Sequence, residues 1–574
     1  MDTTLLIVGA GMSRPLGLPT TKDIYDALWQ LLGADEPRSP IPISERIKLI
    51  HNKGINLDEF AENDFIHTMA ILDDGNGART WGAAEECKRA HIESYGRLFK
   101  QYFADAKIDR LNFNLKFIFQ RYSLNDLKAL VYSLNENSPK KPDIVDILTT
   151  ALSAISSNVA IPTHEVYPDE KDETRDIFYC DRNNIEIALN MYKLLFYKLF
   201  KHTLRTMQTA PISLYEKFFD KVARDYSGLE LLDKSTALNR KNYLSDIAYL
   251  TYNWDPVLPF LGMRANWYIN QDLLLESGSG PCKKIYMDFG VPFAGIKLSG
   301  EHANTSVFSF GEDTAFLINA FTNDSYSERY RDVKSKILIK IMKLFVPHGL
   351  LNIRICPRCQ NSFIIFPEDL RNFNFKDIGR LLVSDPFPSE WDMEFVSGSE
   401  YKKVRERYIQ GTPDELDCPT CEHPVYFHHS FMEIQSIVKP DKPSSVNKIH
   451  FDYGDFFSSA KHVVSLGYSF PQDDILNSFY LRTMRIRKEK NEERPTAKMT
   501  FLGYSTIPAL REKRWIKPKQ VRNVTIDDKD NLKSIEVLEK LFDLDDIRMN
   551  FWGFPEVLTR IEVEEILRYI PVTE

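Results

Sequence analysis

Residues 3–32, TTLLIVGAGMSRPLGLPTTKDIYDALWQLL, join an apolar run, a glycine turn and an amphipathic segment in direct succession. The apolar run has the length of a buried strand and ends at Gly9-Ala10-Gly11, which suits a tight turn. Thr20 and Asp23 have the spacing of a capping box, which marks the start of a helix. The stretch therefore predicts strand, turn and helix, the first unit of an α/β fold.

Three later stretches also read as strands. They are DIAYLTYNWD (246–255), KHVVSLGYSF (461–470) and AKMTFLGYS (497–505). Between the last two, ILNSFYLRTMRIRKEK (475–490) has the pattern of a helix. Strands that alternate with helices favour a parallel α/β sheet.

The rest of the chain suggests two inserted units. Helical periodicity dominates 35–245, as in NNIEIALNMYKLLFYKLFKHTLRTM (183–207), and predicts a large helical insertion. The stretch 256–340 is glycine-rich and irregular and gives no assignment. We predict an α/β domain from 1–34, 246–345 and 445–574, which the family resemblance given below implies to be Rossmann-like, the helical insertion at 35–245, and a small cysteine-bearing module at 346–444.

Composition limits the class of protein. A chain of 574 residues exceeds one compact hydrophobic core, which indicates more than one domain or large insertions. With 43% hydrophobic and 27% charged residues the chain reads as soluble and globular. A net charge of −8 argues against broad nucleic-acid binding, which needs a basic surface. Neither a signal peptide nor a run of about 18 apolar residues is found, so we expect a cytoplasmic protein without a membrane span.

Four of the seven cysteines form two Cys-x-x-Cys pairs, Cys356 with Cys359 and Cys418 with Cys421. Four thiolates in two such pairs suit a tetrahedral, structural zinc site. The 58 residues between the pairs require an insertion, such as EDLRNFNFKDIGRLL (368–382). The alternatives are redox pairs, unrelated thiols, or a ligand replaced by one of three nearby histidines, His423, His428 and His429.

Polar residues follow the predicted strands. Asn253 and Asp255 stand at the carboxyl end of one strand, where open α/β sheets bind ligands, although both residue types also suit a turn. Gly9-Ala10-Gly11-x-Ser13 can accommodate a pyrophosphate, but so short a motif also forms turns that bind nothing. Arg14 stands where a dehydrogenase fingerprint has its third glycine, so hydride transfer is not indicated. Gly467 and Ser469 suit a phosphate, a ribose or a plain turn.

His348 lies in KLFVPHGLLNIRICPRC (343–359), where His-Gly stands eight residues before the first paired cysteine. The residues alone leave three roles open for it: metal ligand, catalytic base or loop residue. A second histidine, His302 in GIKLSGEHAN (295–304), is the alternative base. In that stretch Lys297-Leu298-Ser299-Gly300 resembles a Lys-Leu-His-Gly motif, but it has serine at the position of the histidine.

The order of these motifs along the chain resembles that of the sirtuin-like (silent information regulator) superfamily. The motifs are GAGxS, NxD, HG before CxxC, a second CxxC and GxS. The resemblance spans residues 9 to 469. It implies that a Rossmann-like NAD-binding domain and a zinc module hold NAD⁺ between them, and that the bond from nicotinamide to ribose is broken. The roles implied are cofactor phosphates for Gly9, Ala10, Gly11 and Ser13, ribose and nicotinamide for Asn253 and Asp255, the catalytic histidine for His348, zinc for Cys356, Cys359, Cys418 and Cys421, and the distal ribose for Gly467 and Ser469.

Departures from the deacylating sirtuins indicate a subclass. Gly17-Leu18-Pro19 runs into Thr20-Thr21-Lys22-Asp23 rather than Asp-Phe-Arg, and QSIVKPDKPSS (435–445) lacks their Phe-Gly-Glu docking triad. The GYSFPQDD stretch (467–474) and the helical insertion look like bacterial sirtuin-like NAD⁺ hydrolases of anti-phage defence. The resemblance thus implies an NAD⁺ glycohydrolase that yields nicotinamide and ADP-ribose.

Two other functions are kept open, an NAD-dependent protein deacylase and a catalytically silent nucleotide-binding subunit of a defence complex. The resemblance further implies a homo-oligomer with a gated activity. An operon partner such as a motor ATPase or a short Argonaute-like protein would complete the system. No direct nucleic-acid binding is expected.

Overall fold

The computed structural model describes most of the chain. The described residues are 3–32, 43–51, 55, 57–72, 81–106, 117–136, 144–164, 177–226, 244–276, 282–288, 337–365, 385–398, 402–418, 420–432, 456, 460–470, 497–524 and 529–572. The predicted helix at 475–490, the insertion at 368–382, the stretch 435–445 and His302 lie outside them.

The strands, numbered in chain order, group into one large sheet and three small ones. They are β1 Thr4–Val8, β2 Ile161–His164, β3 Ile177–Cys180, β4 Leu244–Thr251, β5 Cys282–Asp288, β6 Ile337–Phe345, β7 Gly349–Ile355, β8 Ser362–Ile364, β9 Leu416–Asp417, β10 Pro424–Val425, β11 Ser430–Met432, β12 His462–Leu466, β13 Lys498–Leu502 and β14 Ile547–Asn550.

The large sheet has seven strands in the order β14-β13-β12-β1-β4-β6-β5. Every pairing in it is parallel. The α/β class and the four strands predicted from the sequence are therefore confirmed. The sheet also contains β5 and β6, from the stretch without an assignment, and β14.

The chain changes direction across this sheet at β1. From β1 it proceeds to β4 on one side, and it later returns to β12 on the other side. All three strands end at the same edge, since Val8 pairs with Thr251 and with Leu466. Such a switch point opens a crevice at the carboxyl ends of the strands, where ligands of open α/β sheets bind.

Helices occupy most of the rest of the described residues. The α-helices are Ala10–Ser13, Thr21–Leu32, Ile43–His51, Glu59–Leu72, Trp81–Tyr102, Leu124–Glu136, Ile144–Ser157, Arg182–Arg205, Ile212–Tyr226, Val257–Glu276, Glu390–Gly398, Lys402–Gln410, Pro508–Arg511, Pro518–Arg522, Lys529–Leu541 and Val563–Leu567. Short 3₁₀ helices are Arg14–Leu16, Phe427–His429, Leu544–Asp546 and Glu556–Thr559.

The predicted capping box at the first long helix is confirmed. The Asp23 carboxylate accepts from the Thr20 amide at 2.8 Å and from the Thr20 hydroxyl at 2.6 Å, and the Asp23 amide donates to Thr20 Oγ1 at 3.3 Å. The glycine turn itself opens only the four-residue helix Ala10–Ser13, and the long helix starts at Thr21. Gly17, at a φ of +84°, separates the two.

The described parts of 35–245 are mainly helical, with one unpredicted antiparallel pair, β2 with β3. β4 begins at Leu244, two residues before the predicted domain boundary. One continuous core contains Val8 of β1, Phe65 and Leu194 of the helical region, and Phe427 beside the second cysteine pair. The division of the chain into domains stays a prediction, because these regions share their apolar interior.

Within the described residues, no helix is both long enough and apolar enough to span a membrane.

Candidate functional site

The backbone of the glycine turn packs directly on the turn after β12. The Gly9 amide donates to the Leu466 carbonyl and the Gly11 amide to the Gly467 carbonyl, both at 3.0 Å. A Cβ atom on Gly9 would lie 2.5 Å from Tyr468 Cα, and one on Gly11 would lie 2.7 Å from Gly467 O. The close approach of two backbones therefore requires glycine at both positions.

Three of the predicted site residues form one hydrogen-bonded cluster, the polar triad Ser13, Asn253 and Asp255. Ser13 Oγ donates to Asp255 Oδ2 at 3.1 Å, and Asn253 Nδ2 donates to Ser13 Oγ at 3.3 Å. All three side chains are buried. They meet because Ser13 follows β1 and the other two follow β4, and the carboxyl ends of these paired strands share one edge.

Local turns fix the geometry of the triad. The Asn253 amide donates to Thr251 Oγ1 and the Val257 amide to Asp255 Oδ1, each at 3.1 Å. The Tyr215 hydroxyl donates to the Met12 carbonyl at 2.6 Å and so anchors the chain next to Ser13. These bonds hold the triad rigidly before any ligand binds.

Burial raises the pKa of Asp255 to about 6. Hydrogen bonds from the Val257 amide, Ser13 and Asn253 lower the pKa but offset only part of this cost. A carboxyl group that titrates near neutral pH in a crevice is a marker of functional sites.

His348 lies in the turn between β6 and β7, at the same edge of the sheet. Its ring contacts Tyr252 edge-on at 4.9 Å between centroids, and Tyr252 stacks on Tyr468 at 4.9 Å. This aromatic row joins the turns after β4, β6 and β12. It places His348 beside the residue that precedes Asn253.

The other predicted site residues lie at the rim. Ala10 is half-buried and Ser469 is exposed, while Gly467 is half-buried with a φ of +63°. The Ser469 carbonyl accepts from the Ser534 hydroxyl at 2.8 Å, which fixes this turn against the helix Lys529–Leu541. Ser469 is thus exposed at this edge of the sheet, where the side chains of the polar triad are buried.

The second predicted centre is the cysteine cluster. Cys356 Sγ lies 3.6 Å from Cys421 Sγ, and Cys359 Sγ lies 3.6 Å from Cys418 Sγ. All four sulfur atoms lie within 4.8 Å of one another. β7 and β8 flank the first pair, and β9 and β10 flank the second.

Each cysteine pair forms a turn, and the two turns have the same geometry. The amide four residues after the first cysteine donates to that cysteine's carbonyl, from Gln360 at 2.9 Å and from Glu422 at 2.8 Å. Gln360 and Glu422, directly after the second cysteine of each pair, have left-handed φ values of 59° and 56°. Two matching turns aim four sulfur atoms at one point.

This arrangement fits zinc. A tetrahedral ion with Zn–S bonds of about 2.3 Å separates its sulfur ligands by roughly 3.8 Å. Within the described part of the chain, the metal-binding group consists of the four cysteines alone. Of the alternative histidine ligands, His429 accepts a hydrogen bond from the Tyr426 amide through Nδ1 at 3.0 Å. This ring nitrogen is therefore occupied by a neighbouring residue. The residues therefore fit a closed, structural four-thiolate site.

The two centres are connected. The Leu351 amide of β7 donates to the Trp254 carbonyl at 3.1 Å, which links the strand before Cys356 to the loop of the polar triad. His348 thus lies in the turn before β7, at the edge of the polar triad, and Cys356 of the cysteine cluster directly follows the same strand.

Sequence reasoning missed Tyr252 and Tyr468, although each is adjacent to a motif residue. Their positions directly after parallel strands, beside Asn253 and Gly467, were the available signal. It also missed a buried charged cluster on the helix Arg182–Arg205, where Lys198 and Lys201 contact Asp64, Asp385 and Asp392. The spacing of Lys198, Lys201 and His202 on one helix face was the signal in that case.

Comparison of the sequence with protein-family models and with curated proteins finds no match. Function is therefore inferred from the residues and their geometry.

Proposed function

We propose that the chain is a sirtuin-like NAD⁺ glycohydrolase that cleaves NAD⁺ to nicotinamide and ADP-ribose. The observation that carries the proposal is the polar triad at the switch point of the sheet, with His348 next to it. Ser13 and Asp255 lie 242 residues apart in the chain yet form a hydrogen bond, and Asn253 bonds to Ser13. The order of motifs along the sequence supports the same function.

The chemistry suits these side chains. Cleavage of the bond between nicotinamide and ribose builds an oxocarbenium-like centre, which needs positioning, exclusion of water and a base for the attacking oxygen. His348 would take the proton from the attacking water, since histidine is the natural base near neutral pH. Asn253 would hold a ribose hydroxyl or that water, and Asp255 would accept from the nicotinamide carboxamide.

The glycine turn would hold the phosphates only in part. The amides of Gly9 and Gly11 already donate to carbonyls of the β12 turn. A phosphate at this edge would therefore contact other groups, and the exposed Arg14 is the adjacent cation. Gly9 and Gly11 would act by bringing the β1 and β12 turns together.

The four cysteines would hold a structural zinc ion that keeps the β6–β7 connection in place. The wider role that fits an NAD⁺ hydrolase is that of a gated effector in bacterial anti-phage defence, in the cytoplasm. Depletion of NAD⁺ would be its output, and a homo-oligomer or a partner protein its gate. The resemblance of the motifs is the support for this role.

The test is nicotinamide release from NAD⁺ by the purified full-length protein. We expect turnover in the wild type and its loss in Asn253→Ala and His348→Ala, with folding checked by circular dichroism. Ser505→Ala, a buried residue after β13 outside the triad, is the control and should keep turnover. Unchanged turnover in both site variants would overturn the proposal, and release that requires an acyl-peptide would indicate a deacylase instead.

A further inference from the structure

A cavity lies in the helical part of the molecule, away from the polar triad. It has a volume of about 350 Å³ and opens between the helices Glu59–Leu72 and Trp81–Tyr102 and the residues 387–390. This volume is within the range of small-molecule sites. None of the lining residues belongs to the polar triad, the aromatic row or the cysteine cluster.

Thr68 and Tyr95 line this cavity, and each carries a buried hydroxyl group. Thr68 is 0% exposed and Tyr95 is 4% exposed. Neither Thr68 Oγ1 nor the Tyr95 hydroxyl has a hydrogen-bond partner among the described residues. Leaving a buried hydroxyl unsatisfied costs about 1–3 kcal/mol, so two in one cavity indicate a missing polar occupant.

The remaining walls show what kind of molecule fits. Phe60, Leu98 and Phe387 contribute apolar surface, and Tyr95 contacts Phe387 edge-on at 6.3 Å between centroids. Ser94, Ser389, Asn63 and Gln101 add hydroxyl and amide groups. Hydroxyl and amide groups beside aromatic walls suit a planar ring that carries a polyhydroxyl group.

The charges of the cavity disfavour a phosphate. Asp64 is a lining residue whose carboxylate is already paired with Lys198 at 2.8 Å and His202 at 2.7 Å. Glu390, also in the lining, accepts from the Tyr102 hydroxyl at 3.1 Å. Arg97 is the one lysine or arginine among the lining residues, against these two carboxylates. A phosphate would meet no excess of positive charge.

We propose that this cavity binds a nucleoside, with the base against Phe387 and Leu98 and ribose hydroxyls bonded to Thr68 and Tyr95. Such a site is separate from the crevice proposed for NAD⁺ and does not depend on NAD⁺ cleavage. The ligand would supply the hydrogen bonds that the two buried hydroxyl groups lack.

The test is calorimetric titration of the full-length protein with adenosine. We expect saturable binding, and at least tenfold weaker binding in the double variant Thr68→Val/Tyr95→Phe. Both changes keep the shape of the side chain and remove an unsatisfied polar group, so the fold should stay intact and the melting temperature should not fall. AMP should bind more weakly than adenosine, because the cavity lacks excess positive charge.

Tyr122→Phe is the matched control. The Tyr122 hydroxyl is also buried without a hydrogen-bond partner among the described residues, but Tyr122 does not line the cavity. This variant should bind adenosine like the wild type. Absence of adenosine binding at millimolar concentration overturns the proposal. Binding that the double variant leaves unchanged also overturns it, since adenosine would then occupy another site, such as the NAD⁺ crevice.

Discussion

Asp255 shows how a single residue of the candidate site influences the stability of the fold. Burial raises its pKa from 3.8 to about 6, so the folded protein holds a proton that the unfolded chain releases. A raised pKa stabilises the fold fully below pH 3.8, and this contribution is lost as the pH rises through about 6. At pH 8 the ionised, buried carboxylate lowers the free energy of unfolding by about 3 kcal/mol at most.

The substitution Asp255→Asn should therefore raise the free energy of unfolding at pH 8 by up to about 3 kcal/mol, since the amide has no charge to bury. The gain should shrink towards zero at about pH 3, below both pKa values, where the wild-type carboxyl is protonated in both states. Urea unfolding at a series of pH values measures this difference. A gain of equal size at every pH would contradict the account. Asp105→Asn, at an exposed carboxyl, should show no gain.

Gly349, next to His348, occupies a backbone position that only glycine can adopt without strain. Its φ is +74°, and a Cβ atom there would lie 2.2 Å from the Phe431 carbonyl oxygen. Gly349→Ala should lower the free energy of unfolding by more than about 2 kcal/mol, because it adds backbone strain to a steric clash. Chemical denaturation of the variant measures the loss.

The matched control is Gly398→Ala, at the end of the helix Glu390–Gly398, where no atom of the described residues lies within 4 Å of an added Cβ. Its effect should stay within about 0.5 kcal/mol. Equal losses at the two positions would show that the β7–β11 contact does not constrain Gly349.

At the residue scale, the sequence predicted the members of the candidate site but not their neighbours. Ser13, Asn253 and Asp255 could be chosen because each follows an apolar run. Their hydrogen bonds to one another depend on which strands are adjacent, and strand order is not encoded in local pattern. The Tyr252–Tyr468 stack was missed for the same reason, because it requires β4 and β12 to flank β1.

At the scale of elements, the cysteine turns make a direct prediction about metal content. The wild-type protein should carry one zinc ion, and Cys356→Ser or Cys421→Ser should lose it, because a closed structural site needs all four thiolates. The metal-free protein should melt several degrees lower, since a ligand that binds only the native state stabilises it. Elemental analysis and thermal melting measure both effects.

His423→Ala and His428→Ala serve as controls for the alternative ligands. Both variants should keep one zinc ion per chain, because the sulfur atoms of the four cysteines already complete the set. Loss of zinc in either histidine variant, or its retention without Cys356, would contradict a four-cysteine site.

Strands were predictable where their apolar runs were uninterrupted, as in β1 and β12, and unpredictable where charges interrupt them. β6 contains Lys340 and Lys343, both buried, and β14 contains Arg548, which is 0% exposed. The Arg548 guanidinium donates to Thr500 Oγ1 at 2.8 Å and to the Ile566 carbonyl at 3.0 Å. Such charges break the apolar pattern in sequence, and partners such as Thr500 and the Ile566 carbonyl reach them only in the fold.

At the scale of the whole molecule, the helix Arg182–Arg205 connects regions that the sequence separated. Phe196 packs edge-on against Trp254 of the polar-triad loop, at 5.0 Å between centroids. Tyr197 packs against Phe427, beside the second cysteine pair, at 4.7 Å. Lys201 binds Asp385 at 2.8 Å and Asp392 at 2.6 Å. One helix thus contacts the loop of the candidate site, the cysteine module and the segment between its two cysteine pairs.

Lys201→Met should destabilise the protein by about 3–5 kcal/mol, because it removes the counter-charge that the buried Asp392 carboxylate has among the described residues. The variant would bury three carboxylates, and Lys198 would be the one lysine left beside them among the described residues. The carboxylates are those of Asp64, Asp385 and Asp392. The measurement is urea unfolding followed by circular dichroism.

Arg182→Ala, on the same helix, is the control. Its ion pair with Glu186 is exposed, with side chains 60% and 48% accessible, and its loss should cost under about 0.5 kcal/mol. If Lys201→Met were as mild as this, the buried charges would not hold the regions together.

The most direct test of the central claim is a crystal structure of the His348→Ala protein with NAD⁺ bound. We predict that NAD⁺ lies across the carboxyl ends of β1, β4 and β12, with the nicotinamide ribose within hydrogen-bond distance of Asn253 and the carboxamide facing Asp255. The space vacated by the histidine should open onto the anomeric carbon of that ribose. NAD⁺ bound elsewhere, or a ribose that faces His302 instead, would contradict the assignment.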